Sequence, residues 1–305
     1  MCYNNVINDR DVYYATDDRF CVPLREHYMK IKYLGTGAFE GVPSLFCGCR
    51  VCVESRERGG RNLRSRSQAL IDSELLIDFN ADTVSHCLRY GLDLGKISAC
   101  LITHSHSDHL YVGDIEIARD CYSHEHATAM FYAARSGYEL IKEMTDQANS
   151  RADVVLAEEG KRFDVSGGKY TVLPLWADHA PETSPVIYSI ESNADGKRIL
   201  YANDTGLFPQ KTWEALAKEK SYDLVSLDCT GCLGLQGDYT RSHMSMRSCM
   251  DTAEKMRGMG LVRADTKIVL NHFSHNGGQT YDEFAPEAEK RGAIAAYDGL
   301  ELELC

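Results

Sequence analysis

Four residues able to hold a divalent cation, His104, His106, Asp108 and His109, fall within six positions, directly behind the apolar run Ile97-Ser98-Ala99-Cys100-Leu101-Ile102-Thr103. Imidazole and carboxylate together accept Mn, Zn or Fe, so the chemistry such a group supports is metal-assisted hydrolysis. If the run is a buried strand, side chains two apart share a face, and His104 and His106 face one metal together. Asp108 and His109 follow where the strand must turn, and lean towards a second metal. A two-metal site needs further ligands, and other strand ends offer them. His179 follows the apolar Val172–Leu175, Asp204 follows Ile199–Ala202, and His272 follows Ile268–Asn271. The two oxygens of Asp204 suit it to bridge both ions.

Around these residues the chain reads as strands alternating with helices. Met29–Leu34 is a strand entering the glycine turn at Gly35-Thr36-Gly37; a dinucleotide loop is a poor reading of it, because a third glycine and a following helix are absent and cysteines arrive instead. Ser67–Ile71 and Leu75–Phe79 read as paired strands around a turn at Asp72-Ser73, and Ala81–Arg89 as a helix stopped at Gly91. Asp114–Gln147 carries apolar residues at mostly helical spacing, which predicts two helices. Strands follow at 170–175, 185–190, 198–202, 224–227 and 267–271, with helices at Gln210–Ser221 and Ser245–Met256. Each of several strands closes on a ligand-type residue, so the expectation is a layered α/β domain with its site along strand ends.

The 305 residues, 44% hydrophobic, suffice for one large domain, taken here as residues 30–305 behind an extension of residues 1–29. A formal charge of −12 argues against general nucleic-acid affinity, which rests on neutralising phosphates. No stretch approaches the roughly 20 apolar residues of a membrane span, and no signal-peptide pattern opens the chain. Twelve cysteines without that signal, three of them clustered as Cys47, Cys49 and Cys52, suit a reducing cytoplasm and thiolate metal ligation. The remaining cysteines lack such spacing; Cys229-x-x-Cys232 is the one further pair to note.

His104-x-His106-x-Asp108-His109 followed in order by His179, Asp204 and His272 resembles the metallo-β-lactamase superfamily over about residues 30–305. The resemblance implies an αββα sandwich of two mixed β-sheets flanked by helices. It implies one metal on His104, His106 and His179, a second on Asp108, His109 and His272, and Asp204 between them. Leu34-Gly35-Thr36-Gly37 running into Gly41-Val42-Pro43 and Cys47-Gly48-Cys49-Arg50-Val51-Cys52 is similar, more narrowly, to the branch of phosphoribosyl cyclic phosphate phosphodiesterases. That branch implies a structural zinc on Cys47, Cys49, Cys52 and His275, three residues beyond His272. Cys₃His is a usual closed tetrahedral zinc set, and such an ion contributes on the order of 10 kcal/mol to folding. His243, in His243-Met244-Ser245, resembles the branch's substrate-facing histidine, and Asp228 a position that steadies a ligand histidine.

The expected function is therefore a dinuclear metal phosphodiesterase acting on a small cyclic or linear diester by attack of a metal-bridging hydroxide. Asp108 serves at the metals and His243 at the departing oxygen. Arg61, Arg64 and Arg66 are candidates to reach a substrate phosphate, though at least two of them read better as a solvated charge run. Rival expectations are another hydrolase of the same fold (an RNA 3′-processing ribonuclease, a thioesterase or a lactamase) and a non-catalytic accessory protein of cofactor biosynthesis. The expected partners are a small-molecule diester and a second copy of the chain, with neither nucleic acid nor membrane. His27, His86, His124 and His126 fit no ligand position and read as structural or surface residues.

Overall fold

The computed structural model describes residues 28–234 and 237–305, together with two-residue strands β1 (Val12–Tyr13) and β2 (Pro23–Leu24), which pair with each other. His27 and most of the expected extension lie outside the described residues. The rest is built on two seven-stranded sheets. The first has the order β16 (Glu301–Glu303), β3 (Lys30–Gly35), β4 (Gln68–Ile71), β5 (Leu75–Ile77), β6 (Ala99–Ile102), β7 (Ala129–Ala133), β8 (Ala152–Leu156). The second runs β15 (Ala293–Ala295), β14 (Val262–Asn271), β13 (Tyr222–Asp228), β12 (Arg198–Ala202), β11 (Val186–Ser192), β10 (Tyr170–Trp176), β9 (Phe163–Val165). Each sheet is antiparallel in one half and parallel in the other.

Side-chain alternation explains why the sheets stack. In the first sheet Ile31, Tyr33, Leu75, Ile77 and Leu101 belong to the core that also contains the second sheet's strands. Their neighbours Leu34, Leu76, Cys100 and Ile102 point the other way, into a separate core with Phe79, Leu110, Ile115 and Ile141. That is the period-2 pattern of strands buried on both faces. Helices α2 (Thr83–Tyr90) and α3 (Arg135–Thr145) cover the first sheet; α4 (Gln210–Leu216), α5 (Met246–Gly258) and α6 (Tyr281–Glu289) cover the second. The result is the αββα sandwich with two mixed sheets.

Several elements differ from expectation. The two helices expected over 114–147 are a 3-10 turn at Val112–Ala118, strand β7 and the single helix α3. Phe131 and Ala133 are buried and alternate with the half-buried Met130 and Tyr132, so this short apolar run has the period of a strand and not of a helix. Helix α4 stops at Leu216, well before Ser221, because Tyr222 already pairs in β13. Helix α1 (Arg50–Arg58) begins directly behind Cys49 and carries Cys52, and α6 was not foreseen.

Strand β3 ends where the two halves of the molecule close on each other. A β-carbon built on Gly35 would lie 2.0 Å from the Arg66 carbonyl oxygen and 2.9 Å from Ser65 Oγ, and backbone there has little room to yield. Gly35→Ala is expected to cost about 2 kcal/mol or more of stability, read as a lower urea midpoint with an unchanged m-value; an unchanged midpoint would contradict the packing described.

Candidate metal centre and active site

The expected ligands of the two-metal site gather behind strand ends on one edge of the sandwich, joined there by one further carboxylate, Asp78. Asp78 follows β5, His104 follows β6, His179 follows β10, Asp204 follows β12 and His272 follows β14. The two sheets meet at this edge through Val186 N–H donating to the Thr103 carbonyl (2.9 Å) and Tyr188 Oη–H to the Ile102 carbonyl (2.6 Å). Ligand atoms of His104, His106, His179 and Asp204 lie within 4.8 Å of one another, and so do those of Asp108, His109, Asp204 and His272. Asp204 belongs to both groups. Its Oδ2 is 3.2 Å from His104 Nε2 and 2.9 Å from His109 Nε2, and its Oδ1 is 2.8 Å from His272 Nε2. His106 Nδ1 stands 2.9 Å from His104 Nε2 and 3.2 Å from His179 Nε2.

Cations suit these groups on three counts. His109 Nε2, His272 Nε2 and Asp204 Oδ1 are buried, yet none makes a hydrogen bond of acceptable geometry. Close approach without alignment is what atoms converging on one ion produce, and leaving such groups buried and unpaired is costly. Second, burial disfavours a charge on His109 and His272, yet the adjoining Asp108 and Asp204 carboxylates reverse this and hold both well above the ordinary histidine range. The pocket thus calls for positive charge. Third, burial and the neighbouring His109 hold His104 well below that range, so it is neutral, the form that ligates a metal.

Around the clusters, other groups fix the rings. His109 Nδ1–H donates to Asp78 Oδ2 (2.7 Å), while Thr103 N–H and Oγ1–H both donate to Asp78 Oδ1 (2.8 Å each). His179 Nδ1–H donates to the Ser242 carbonyl (3.1 Å). Asp228 accepts from His243 Nδ1–H (2.9 Å) and from the backbone N–H of Asp204, Thr230 and Met244. Burial opposes its charge, but His243 and His272 draw its pKa down to about 2. The expected support of a ligand histidine by Asp228 is the weaker of its contacts: His272 Nδ1 is 3.4 Å away and has Thr230 Oγ1 nearer, at 2.9 Å. Neither Asp78 nor Thr230 was singled out from sequence. Asp78 carried a usable signal, since it too is a carboxylate closing an apolar strand.

His106, Asp108, His179, Asp204, His243 and His272 open on a cavity of about 570 Å³, whose remaining wall includes Phe39, Glu40, Tyr239 and Asn276. With Nδ1 held by Asp228, Nε2 is the His243 nitrogen left for that space. Burial works against its charge, and Asp228 and Asp204 overcome this to raise its pKa. Arg61, Arg64 and Arg66 do not line the cavity. Arg64 is buried, donating to Thr36 Oγ1 and the Ala296 carbonyl; Arg66 pairs with Asp82; Arg61 lies over the Tyr297 ring. His86 is a core residue, bonded to Ser65 and Gln68 and pushed by burial down to about 4. His124 and His126 border a separate apolar cavity of about 360 Å³.

Asp204, Asp228, His243 and His272 also lie within 4.8 Å of one another, and Cys47, Cys49, Cys52 and His275 form a separate cluster at the same spacing. His275 Nδ1 is 3.4 Å from Cys49 Sγ and 3.7 Å from Cys47 Sγ. Burial, reinforced by the neighbouring thiols, drives Cys52 up to about 12, so a cation bound among these sulfurs would have to displace its proton. Cys229 and Cys232 are fully buried thiols elsewhere.

A family model described as a beta-lactamase superfamily domain matches residues 75–273. Among solved structures, a diphosphatase of the PhnP family superposes with a TM-score of 0.70 at 22% identity, over 92% of this chain and 99% of its own. Zinc-bound PqqB from Methylobacterium extorquens gives 0.67 at 18% identity, over 90% and 100%. The short form of human tRNase Z gives 0.58 at 17% identity, over 90% and 99%. A curated relative, an octanoyltransferase of Porphyromonas gingivalis, is 33% identical over 118 residues, which is 38% of this chain; the chain spans only 22% of that protein's length. No helix among the described residues is long and apolar enough to cross a membrane.

Two predictions test the clusters. Asp78→Asn keeps the shape but loses the charge that orients His109, and is expected to weaken metal affinity at one of two sites by about 10- to 100-fold, measured by competition with a chromogenic chelator. If the cluster holds zinc, Cys52→Ser is expected to remove one zinc per chain and lower the melting temperature, because an ion bound there would contribute folding free energy; equal zinc content in both proteins would refute the assignment.

Proposed function

We propose, for a chain that belongs to the metallo-β-lactamase superfamily, that this metal-dependent hydrolase cleaves a small phosphodiester. The observation that carries this reading is His243. It stands in the same cavity as the two His/Asp clusters but outside both presumed ligand sets, with Nδ1 held by a buried carboxylate and Nε2 facing the space where a substrate would lie. A diester needs a proton at the oxygen that departs, and an imidazole so held can supply it.

In this reading His104, His106 and His179 hold one cation and Asp108, His109 and His272 a second, with Asp204 shared. Bound there, divalent ions would acidify a water and neutralise the phosphoryl oxygens. Asp78 and Thr230 keep the tautomers of His109 and His272 such that Nε2 faces inward. Asp228 holds His243 against the substrate, and Nε2–H of His243 passes its proton to the leaving oxygen. Cys47, Cys49, Cys52 and His275 take a structural zinc that ties the loop before α1 to the end of β14. The diphosphatase neighbour supports chemistry at phosphorus, and the −12 charge favours a small substrate over RNA.

The test is protein loaded with Mn or Zn and assayed on ribose cyclic phosphates, linear diesters, a diphosphate ester, thioesters and a β-lactam. Turnover confined to thioesters or lactams would end the phosphodiesterase reading. His243→Ala is expected to lower diester kcat by about 10²- to 10⁴-fold while metal content stays the same; unchanged kcat would remove the role given to His243.

A further inference from the structure

The cavity above the clusters has a wall that the proposed chemistry does not use. Residues 36–40 and 272–276 are joined there by Phe273 N–H donating to the Thr36 carbonyl and Ala38 N–H to the Phe273 carbonyl, both at 2.9 Å. This pairing brings Phe39, Glu40, Ser274 and Asn276 to one side of the space, with the Phe39 ring 59% exposed. Glu40 is held in place. Ser274 Oγ–H donates to its Oε1 at 2.5 Å, and His275 Nε2, on the ring edge away from the cysteines, lies 3.6 Å from the same oxygen.

Among the described residues the contacts of this carboxylate are to Ser274 and the His275 ring, and no Lys or Arg pairs with it. A zinc with three thiolates and a neutral imidazole would carry net negative charge, so the cluster beyond His275 does not compensate Glu40. Glu40 also borders a smaller cavity with Arg64, Arg66 and Arg89, but Arg64 is buried on Thr36 and Ala296, and Arg66 is paired with Asp82. An ionised carboxylate only accepts hydrogen bonds. A substrate portion beside it is favoured if it brings hydroxyl donors and penalised if it brings a second anion. The exposed Phe39 ring beside it offers an apolar face to a ring.

Resting on the phosphodiesterase reading, we propose that Glu40 is a specificity-determining residue selecting diesters whose alcohol part is a hydroxyl-bearing ring without a second phosphate. Ser274 and the Cys₃His cluster act as its positioning groups, so the zinc site shapes substrate choice as well as stability.

The experiment compares metal-loaded wild type with Glu40→Gln, which can still accept from Ser274. Three substrates are used: a ribose cyclic phosphate with free hydroxyls, the same compound phosphorylated on the sugar, and bis(p-nitrophenyl) phosphate, which has no hydroxyl. Wild type is expected to prefer the free sugar over its phosphorylated form in kcat/KM. Glu40→Gln is expected to lower kcat/KM on the free sugar about 10-fold, through KM, and to narrow that preference. It should leave bis(p-nitrophenyl) phosphate within about twofold and zinc content unchanged. A wild-type preference for the phosphorylated sugar would overturn the proposal and direct attention to Arg89. Equal losses on all three substrates, or loss of zinc, would make Glu40 a structural support only. No turnover of any of the three by wild type would instead overturn the phosphodiesterase reading, and this inference with it.

Discussion

Asp108 and Asp204 lie almost wholly out of water, packed among the imidazoles of His104, His109 and His272. Burying even one carboxylate costs several kcal/mol unless charge and hydrogen bonds compensate it. These carboxylates hold His109 and His272 well above the ordinary histidine range, and bound cations would supply the same compensation with the rings as neutral ligands. The surrounding architecture serves this electrostatic constraint. Two sheets converge on one edge, and each lends strand ends: β6 for His104, β10 for His179, β12 for Asp204, β14 for His272.

The two halves solve the problem of ring orientation in parallel ways. In the first sheet, the carboxylate behind β5, Asp78, takes the Nδ1–H of His109 and is itself fixed by Thr103. In the second, the carboxylate closing β13, Asp228, takes the Nδ1–H of His243 and is fixed by backbone N–H groups of Thr230 and Met244. In both, a buried acid sits on a parallel strand beside the one carrying the ligands. A strand neighbour places its terminal residue about one inter-strand spacing away, and the segments that follow, the loop behind β6 and the turn before α5, bring the His109 and His243 rings onto these carboxylates.

Much of this was legible in the chain because ligand chemistry and strand patterning coincide. His104, His106, Asp108 and His109 stand behind an apolar run, and His179, Asp204 and His272 do likewise, so one rule brought all seven together. The three cysteines of the Cys₃His cluster stand out by their spacing, whereas His275 joins them only through the resemblance to the phosphodiesterase branch. Other features were hidden for physical reasons. β7 reads as helix in the sequence because Ala129–Ala133 is short and apolar, and its period is decided by its partners on either side, β6 and β8. Arg64 looked like a surface cation, yet its guanidinium is buried over the Phe273 ring, a contact across more than two hundred residues. Glu40 lay in a glycine turn with nothing local to mark it.

Backbone conformation adds what side-chain spacing could not convey. Asp78, Asp204 and His272 have φ of 68°, 51° and 62°, the left-handed region that costs non-glycine residues on the order of 1–3 kcal/mol each at functional sites. Each marks a sharp departure from its strand, which swings the side chain over the sheet edge instead of continuing the alternation. Local bonds hold the turns: Thr103 on the Asp78 carboxylate, Asp228 on the Asp204 N–H, and Thr230 Oγ1 on the His272 carbonyl. Strain at these three positions is thus offset by the same residues that orient the rings. Relaxing any of the turns would return its side chain to the alternation of its strand and take from the clusters a ligand, or in Asp78 the carboxylate that orients one, so backbone strain and ligand geometry are one feature of this edge.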